Sequence, residues 1–411
     1  MYGAWDGARR LRQLSGRPSR AAAADGRRAT GDGRRATLTA TTAHRQALTD
    51  AMAPMLDGMD KVVAGFDQPD RPLAHRNRVG DARRDTRSGR GEPRQLSGAD
   101  AGCHLPGRVN HLRASGMVCL IPTMTISLGT PTVDGAREAM AALREWQDDG
   151  APMQLHPGDL GWHYRFGAAE TASVIRTWSR AGRIVAVGML DSPRLLRMTV
   201  APDAFQDEGL ARRLAEDFSL PEHGVLPEGA VSVEAPLGLL LHDLLSEEEW
   251  GVDEPWTPLF RDLTEPVEDP GVRITPIGPD QAQDFAEVLR SAFDTSRPTS
   301  EYRRSMSAAP FYADARCLGV YDDQGEMAAV VTVWSAGPGR PGLIEPMGVH
   351  ANHRGRGYGR AITLAGASAL RELGSSSARV CTPSSYSGAV ATYRAAGFER
   401  RGEVRDRVRA G

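Results

Sequence analysis

The chain has 411 residues, 40% hydrophobic and 25% charged, with a formal net charge of −2. That length suits two or three ordinary domains. No apolar run approaches the ~20 residues of a membrane span, and the start M-Y-G-A-W-D-G-A-R-R lacks the apolar core of a secretory signal.

The balanced charge hides a split. Residues 1–123 carry 21 basic and 12 acidic residues, whereas 124–411 carry 29 and 40. All basic residues but Lys61 are arginine, a skew expected of a GC-rich bacterial genome. Cys103, Cys119, Cys317 and Cys381 show no pairing or metal-binding spacing, so a reducing cytoplasm is the expected compartment.

Residues 1–123 do not read as a folded domain. Arg, Ala, Gly, Asp and Ser dominate, and Arg78–Arg94 cannot bury enough apolar surface to offset chain entropy. Three readings stay open: a disordered basic tail, a segment that binds nucleic acid or a partner, or a start assigned too far upstream of Met117 or Met124. Ordinary globular patterning begins after Met124.

From there the spacing predicts helices over Val133–Trp146 and Ser173–Arg180, then strands over Gly182–Leu190 and Arg194–Val200. A helix over Leu210–Phe218 and a strand over Ala230–Glu234 follow. This gives a first domain over 124–266. The linker Thr264–Gly271, T-E-P-V-E-D-P-G, is rich in proline and charge.

Residues 272–411 repeat the order. A strand is predicted over Val272–Ile277, helices over Pro279–Ala292 and Thr299–Ser307, and a hairpin of Cys317–Tyr321 and Met327–Trp334 about the turn D-D-Q-G. Next come a strand over Gly342–His350, a helix over Arg356–Leu373 stopped by Gly374, a strand over Ala378–Thr382, a helix over Gly388–Ala396 and a last strand over Phe398–Val408. Alternating strands and helices imply an α/β class with mixed sheets. The two halves align as duplicated domains.

The most informative stretch is Leu343–Ala361, L-I-E-P-M-G-V-H-A-N-H-R-G-R-G-Y-G-R-A. Strand, glycine-rich turn and helix place backbone N–H groups where they can hold a phosphate. Gly355, Gly357 and Gly359 let the backbone approach a ligand. Arg354, Arg356 and Arg360 add charge beside Tyr358. The G-K-[ST] ending of a P-loop is missing, and the glycine spacing does not fit a dinucleotide fingerprint.

The second half resembles the GNAT superfamily of N-acetyltransferases over 272–411. The resemblance rests on Met347-Gly348-Val349, on Arg354-x-x-Gly357-x-Gly359, and on Ala389-x-x-x-Tyr393-x-x-x-Gly397-Phe398. Two positions depart from the family pattern: Tyr386 in place of Asn, and Thr392 in place of Leu before the tyrosine. The tandem order is similar to the architecture of mycothiol synthase.

The resemblance implies acetyl-CoA as co-substrate and direct acyl transfer to a primary amine. It implies that Met347, Gly348 and Val349 pair with the pantetheine arm and that Arg354–Arg360 hold the diphosphate. Tyr393 takes the general-acid position, and the Val349 N–H is the oxyanion contact. Glu345 is a candidate base or ammonium holder; period-two alternation puts it on the same face as Val349. His350 and His353 flank the loop and suit a structural or phosphate role. No metal set is expected, because the histidines lack ligand spacing.

In the first half, A-F-Q-D-E-G-L replaces the glycine loop, and Asp207 and Glu208 would repel a diphosphate. That half reads as degenerate and without CoA. H-P-G-D-L-G-W (His156–Trp162) lines the acceptor cleft on one reading and is a tight turn on the other. The acidic body favours a small-molecule amine over nucleic acid, and a homodimer stays open. The rival reading is a non-catalytic acyl-CoA sensor or interaction scaffold.

Overall fold

The computed structural model describes residues 125–310 and 312–411; the arginine-rich head expected over 1–123 lies outside the described residues. The first half runs β1 (Ile126–Gly129), α1 (Gly135–Glu145), α2 (Pro157–His163), α3 (Ala168–Val174), β2 (Ile175–Arg180), β3 (Arg183–Ser192), β4 (Leu195–Val200), α4 (Glu208–Ser219), β5 (Val231–Glu234), α5 (Leu241–Glu247), β6 (Gly251–Val252) and β7 (Trp256–Asp262). The second runs β8 (Ile274–Pro276), α6 (Ala282–Phe293), α7 (Ser300–Ser307), β9 (Ala315–Tyr321), β10 (Met327–Ser335), β11 (Gly342–Val349), α8 (Tyr358–Glu372), β12 (Ser377–Pro383), α9 (Ser387–Ala395), β13 (Glu399–Arg400) and β14 (Arg407–Arg409).

Most expected elements are present, with two corrections. Ser173–Arg180 is a strand from Ile175, not a helix. The spacing of buried Ile175 and Trp178 mimics a helical turn, but Ile175 and Thr177 are β-branched, and pairing with β1 and β3 holds the chain extended. The strand expected over Phe398–Val408 is two short strands, β13 and β14, with a loop between.

That loop separates two sheets. The first sheet has the order β1-β2-β3-β4-β5-β14-β6, and the second β8-β9-β10-β11-β12-β7-β13. The sixth place in each is filled by a strand from the other half. Strand β7 precedes the linker, yet it pairs with β12 over Trp256↔Pro383 to Asp262↔Ser377. Strand β14 ends the chain, yet it pairs with β5 through Arg407↔Val233 and Arg409↔Val231. The domains expected over 124–266 and 272–411 are therefore sequential in the chain but interlocked in space. The described residues fall within one compact unit.

Each sheet carries helices. Strand β10, M-A-A-V-V-T-V-W-S, is buried throughout because helices cover both its faces. Ile344, Met347 and Val349 pack with Ile362, Leu364 and Tyr393 on one face. On the other, Leu343 and Trp334 pack with Phe285 and Leu289, joined by Trp162 from the first half. Helix α2 lies directly on Trp334: a methyl group at Gly158 or Gly161 would overlap that indole. The two glycines of H-P-G-D-L-G-W are therefore needed for the halves to meet.

Removing residues 406–411 is expected to raise amide exchange at Val231–Glu234, in the first half, while Ser377–Pro383 stays protected. Hydrogen exchange read by mass spectrometry checks this. Unchanged protection at Val231–Glu234 would contradict the exchanged pairing.

Candidate active site

Strands β10 and β11 pair as Val331↔Met347 and Val333↔Ile344. Glu345 and Pro346 thus stand together opposite Thr332, as a bulge. The bulge breaks the alternation assumed from the sequence. Val349 faces α8, whereas Glu345 is turned to the opposite face, toward the first half. The two residues do not share a face.

Strands β11 and β12 pair in parallel only at Gly342↔Ala378 and Leu343↔Arg379, so a gap opens beyond Leu343. The His350 N–H donates to Ala328 O of β10 at 2.9 Å. Successive strand amides point to opposite sides, so the Val349 and Met347 amides point into the gap.

The glycine loop leads into the gap from below. Gly355 and Gly357 have φ of 71° and 84°, a region other residues enter at a cost. Helix α8 then begins at Tyr358 with no side-chain cap. Its first-turn amides are donors without an intrahelical partner, and the macrodipole favours an anion there. Arg356 is exposed on the loop, and Arg354 donates to Ala292 O at 3.0 Å. The Arg360 side chain does not face the loop, contrary to expectation. It donates to Ala395 O at 2.9 Å and to Glu268 Oε1 at 2.6 Å, because the linker offers it a carboxylate. Residues in this turn fit a diphosphate through backbone amides, with Arg356 as the available cation.

The matching helix of the first half is closed. The Asp207 carboxylate caps α4, accepting from the Leu210 N–H at 2.9 Å, and it also pairs with Arg180. Arg180 holds that carboxyl below the usual range. A carboxylate of the chain sits where α8 offers open amides.

Tyr393 of α9 is 1% exposed and packs near Phe398. Burial, with Glu345 and Cys381 nearby, raises its pKa above that of an ordinary phenol. It is protonated at every working pH. Thr392 donates to Gly388 O and lays its methyl against Gly359, so this departure from the family pattern tightens the α8–α9 contact.

Across the seam lies a group of residues that sequence reasoning did not assemble. Arg197 of β4, 2% exposed, donates to Asp159 Oδ1 at 2.8 Å and to Glu234 Oε2 at 3.0 Å. Asp159, on α2, also accepts from the His156 N–H at 2.7 Å and is hydrogen-bonded to Glu345. Burial raises the Asp159 pKa against the pull of Arg197, and the neighbouring Glu345 adds to the rise. Two adjacent carboxyls cannot both ionise cheaply, so the pair shares one proton. Three carboxyls surround one guanidinium. The legible signal was an arginine inside an otherwise apolar strand, R-L-L-R-M-T-V.

Residues 282–398 match the model of the acetyltransferase (GNAT) family. They form a GNAT domain. No curated protein matches the chain. Among solved structures, a tandem GNAT protein from the clavulanic acid biosynthesis pathway is 16% identical, with a TM-score of 0.48 over 69% of this chain and 98% of its own. A GCN5-related N-acetyltransferase from Sphaerobacter thermophilus is 19% identical, TM-score 0.46, over 69% and 95%. A GNAT-family acetyltransferase from Colwellia psychrerythraea is 14% identical, TM-score 0.46, over 69% and 99%.

His350 and His353 lie between β11 and the glycine turn. His350 Nδ1 accepts from the Asn352 N–H. His353 lies 3.8 Å from Asp322 and 3.9 Å from Glu326 on the β9–β10 turn, a grouping of ligand-type atoms that linear spacing did not show. Among the described residues, no helix is long and apolar enough to cross a membrane.

His156, against the GNAT domain, gives a pH prediction. Its Nδ1 accepts from the Gly158 N–H at 2.9 Å and its Nε2 meets Pro341 O at 3.0 Å. Only the neutral Nε2–H tautomer satisfies both. Burial lowers its pKa from 6.5 to about 3, and burial lowers His163 to about 3 as well. Between those limits the unfolded chain binds more protons, so stability falls as pH falls from 6.5. The slope approaches ~1.4 kcal/mol per pH unit for each histidine. Chemical unfolding at pH 7, 6 and 5 is expected to show this loss. His156→Asn, which keeps a capping side chain, is expected to lower stability at pH 7 but to flatten the slope. An equal slope in the variant would refute the assignment.

Proposed function

We propose that the protein is an acetyl-CoA-dependent N-acetyltransferase acting on a small primary amine, with the GNAT domain as the catalytic half and the first half as the wall of the acceptor cleft. The observation that carries this reading is the asymmetry of two equivalent helix starts. Helix α8 offers open amides behind a glycine turn, whereas α4 is filled by Asp207.

On this reading the Tyr358, Gly359 and Arg360 amides hold the diphosphate, with Arg354 bracing the turn against α6 and Arg356 adding charge. Met347, Gly348 and Val349 present the strand edge to the pantetheine arm. The acceptor amine enters beside the carboxyl cluster. Glu345 takes a proton from the ammonium, directly or through water. The nitrogen then forms its bond to the thioester carbon as the carbon–sulfur bond breaks, and the second amine proton leaves with the thiol. The Val349 N–H stabilises the carbonyl oxygen as charge develops on it. Tyr393 hydrogen-bonds the departing sulfur. With a pKa above the ~8.5 of a thiol, the phenol transfers its proton only uphill, so its effect is mainly that of a hydrogen-bond donor.

Titration calorimetry is expected to give one acetyl-CoA per chain, and Arg356→Glu with Gly357→Asp to abolish it. Tyr393→Phe is expected to lower kcat by roughly 10- to 100-fold, and Glu345→Gln by roughly 100-fold or more, with KM for acetyl-CoA little changed. Two sites per chain would overturn the asymmetry. Binding without turnover of any amine in a primary-amine library would leave an acyl-CoA sensor.

A further inference from the structure

A cavity of about 320 Å³ lies on the seam between the halves. Its walls include Asp149 and Met153 from the loop after α1, Leu237 from the loop after β5, Phe260 of β7, Arg379 of β12 and Arg401. Glu345, Asp159, Arg197 and Tyr393 do not line it, so it is separate from the carboxyl cluster.

Its chemistry is also opposite. The Arg401 guanidinium stands 4.5 Å over the Phe260 ring, and that of Arg379 lies 5.9 Å from the same ring. Arg401 is exposed and has no acidic partner among the described residues. Arg379 is 7% exposed; it donates to Asp148 O at 2.6 Å and Ala151 O at 3.3 Å. Its Nε is buried with no hydrogen-bond partner. The one carboxylate in the wall, Asp149, is 3.9 Å from Arg379 and already accepts from Ser377 Oγ at 2.5 Å. Two guanidiniums against one wall carboxylate leave one positive charge, on Arg401, without an acidic partner among the described residues. The remaining wall is apolar, and the volume suits one ring with a headgroup.

We propose that this cavity is a binding site for a small aromatic anion, its carboxylate or phosphate held by the exposed Arg401 and its ring packed against the apolar wall. Guanidinium pairs well with both headgroups, and the same guanidiniums stack on rings. The site requires the strand exchange, because Phe260 reaches Arg379 only through the Arg379↔Phe260 pairing of β7 with β12. A bound anion would join the 149–153 loop to β12 and so tie the halves together. This inference does not depend on the acyl-transfer reading.

The test uses the intact chain with phenyl phosphate and benzoate as probes, and benzylamine and benzyl alcohol as cationic and neutral controls, read by saturation-transfer NMR and calorimetry. Both anions are expected to bind and both controls to fail. Arg401→Glu is expected to weaken the anions at least tenfold with an unchanged thermal midpoint, since Arg401 is exposed. Leu237→Trp, which fills the mouth from an exposed position, is expected to abolish binding. Saturating acetyl-CoA is expected to leave the phenyl phosphate signal unchanged, which separates this cavity from the glycine turn. Binding that survives Arg401→Glu, follows the controls, or is displaced by acetyl-CoA would overturn the proposal, as would absence of binding.

Discussion

Each sheet of this protein is completed by a strand from the other half, and nearly every feature of the candidate site depends on that exchange. Strand β7 contributes seven register pairs to the second sheet, while β14 closes the first between β5 and β6. Backbone amides of a sheet interior must be paired. Neither half can therefore satisfy its own sheet without the other. The linker over 264–271 is a chain connection, and the structural joint is the pair of crossed strands.

The exchange brings opposite chemistries to the seam. At one place Arg197 is buried between Asp159 and Glu234, with Glu345 reaching Asp159 from the second half. A buried guanidinium among carboxyls is a weak source of stability, because desolvation offsets most of the attraction. Its consequence is chemical: a carboxyl pair at the seam shares one proton. At another place, around Phe260, Arg401 and the paired Arg379 border a largely apolar cavity. The seam thus holds both groups, and neither exists in a single half.

The duplicated halves have diverged at the helix start that follows the fourth strand of each. In α8 glycines with left-handed backbone leave the first-turn amides open. In α4 Asp207 fills the same position with a carboxylate that Arg180 keeps ionised. A single capping residue closes a helix start that is open in the other half, with no change in strand order. The first half contributes instead through α2, whose two glycines let it rest on Trp334. The Trp334 Nε1–H in turn donates to Glu345 O at 2.7 Å, fixing the strand that carries the carboxylate.

Much of this was legible in the residues. Apolar spacing located most helices and strands, and Gly355 and Gly357 announced the turn, because backbone with positive φ is written locally as glycine. Asp207 and Glu208 announced the closed counterpart for the same local reason. What the residues alone did not show is set by long-range pairing. Strand β7 is a short run of mixed character, and only its seven partners in β12 make it a strand; Ile175–Arg180 looked helical until β1 and β3 paired with it. The bulge at Glu345–Pro346 reversed the expected face of Glu345, since alternation assumes an unbroken ladder. The meeting of Asp159, Arg197, Glu234 and Glu345 joins positions up to 186 residues apart (Asp159 to Glu345). Local chemistry fixes turns and caps through neighbouring atoms, whereas a charge cluster across two sheets exists only once the whole chain has folded.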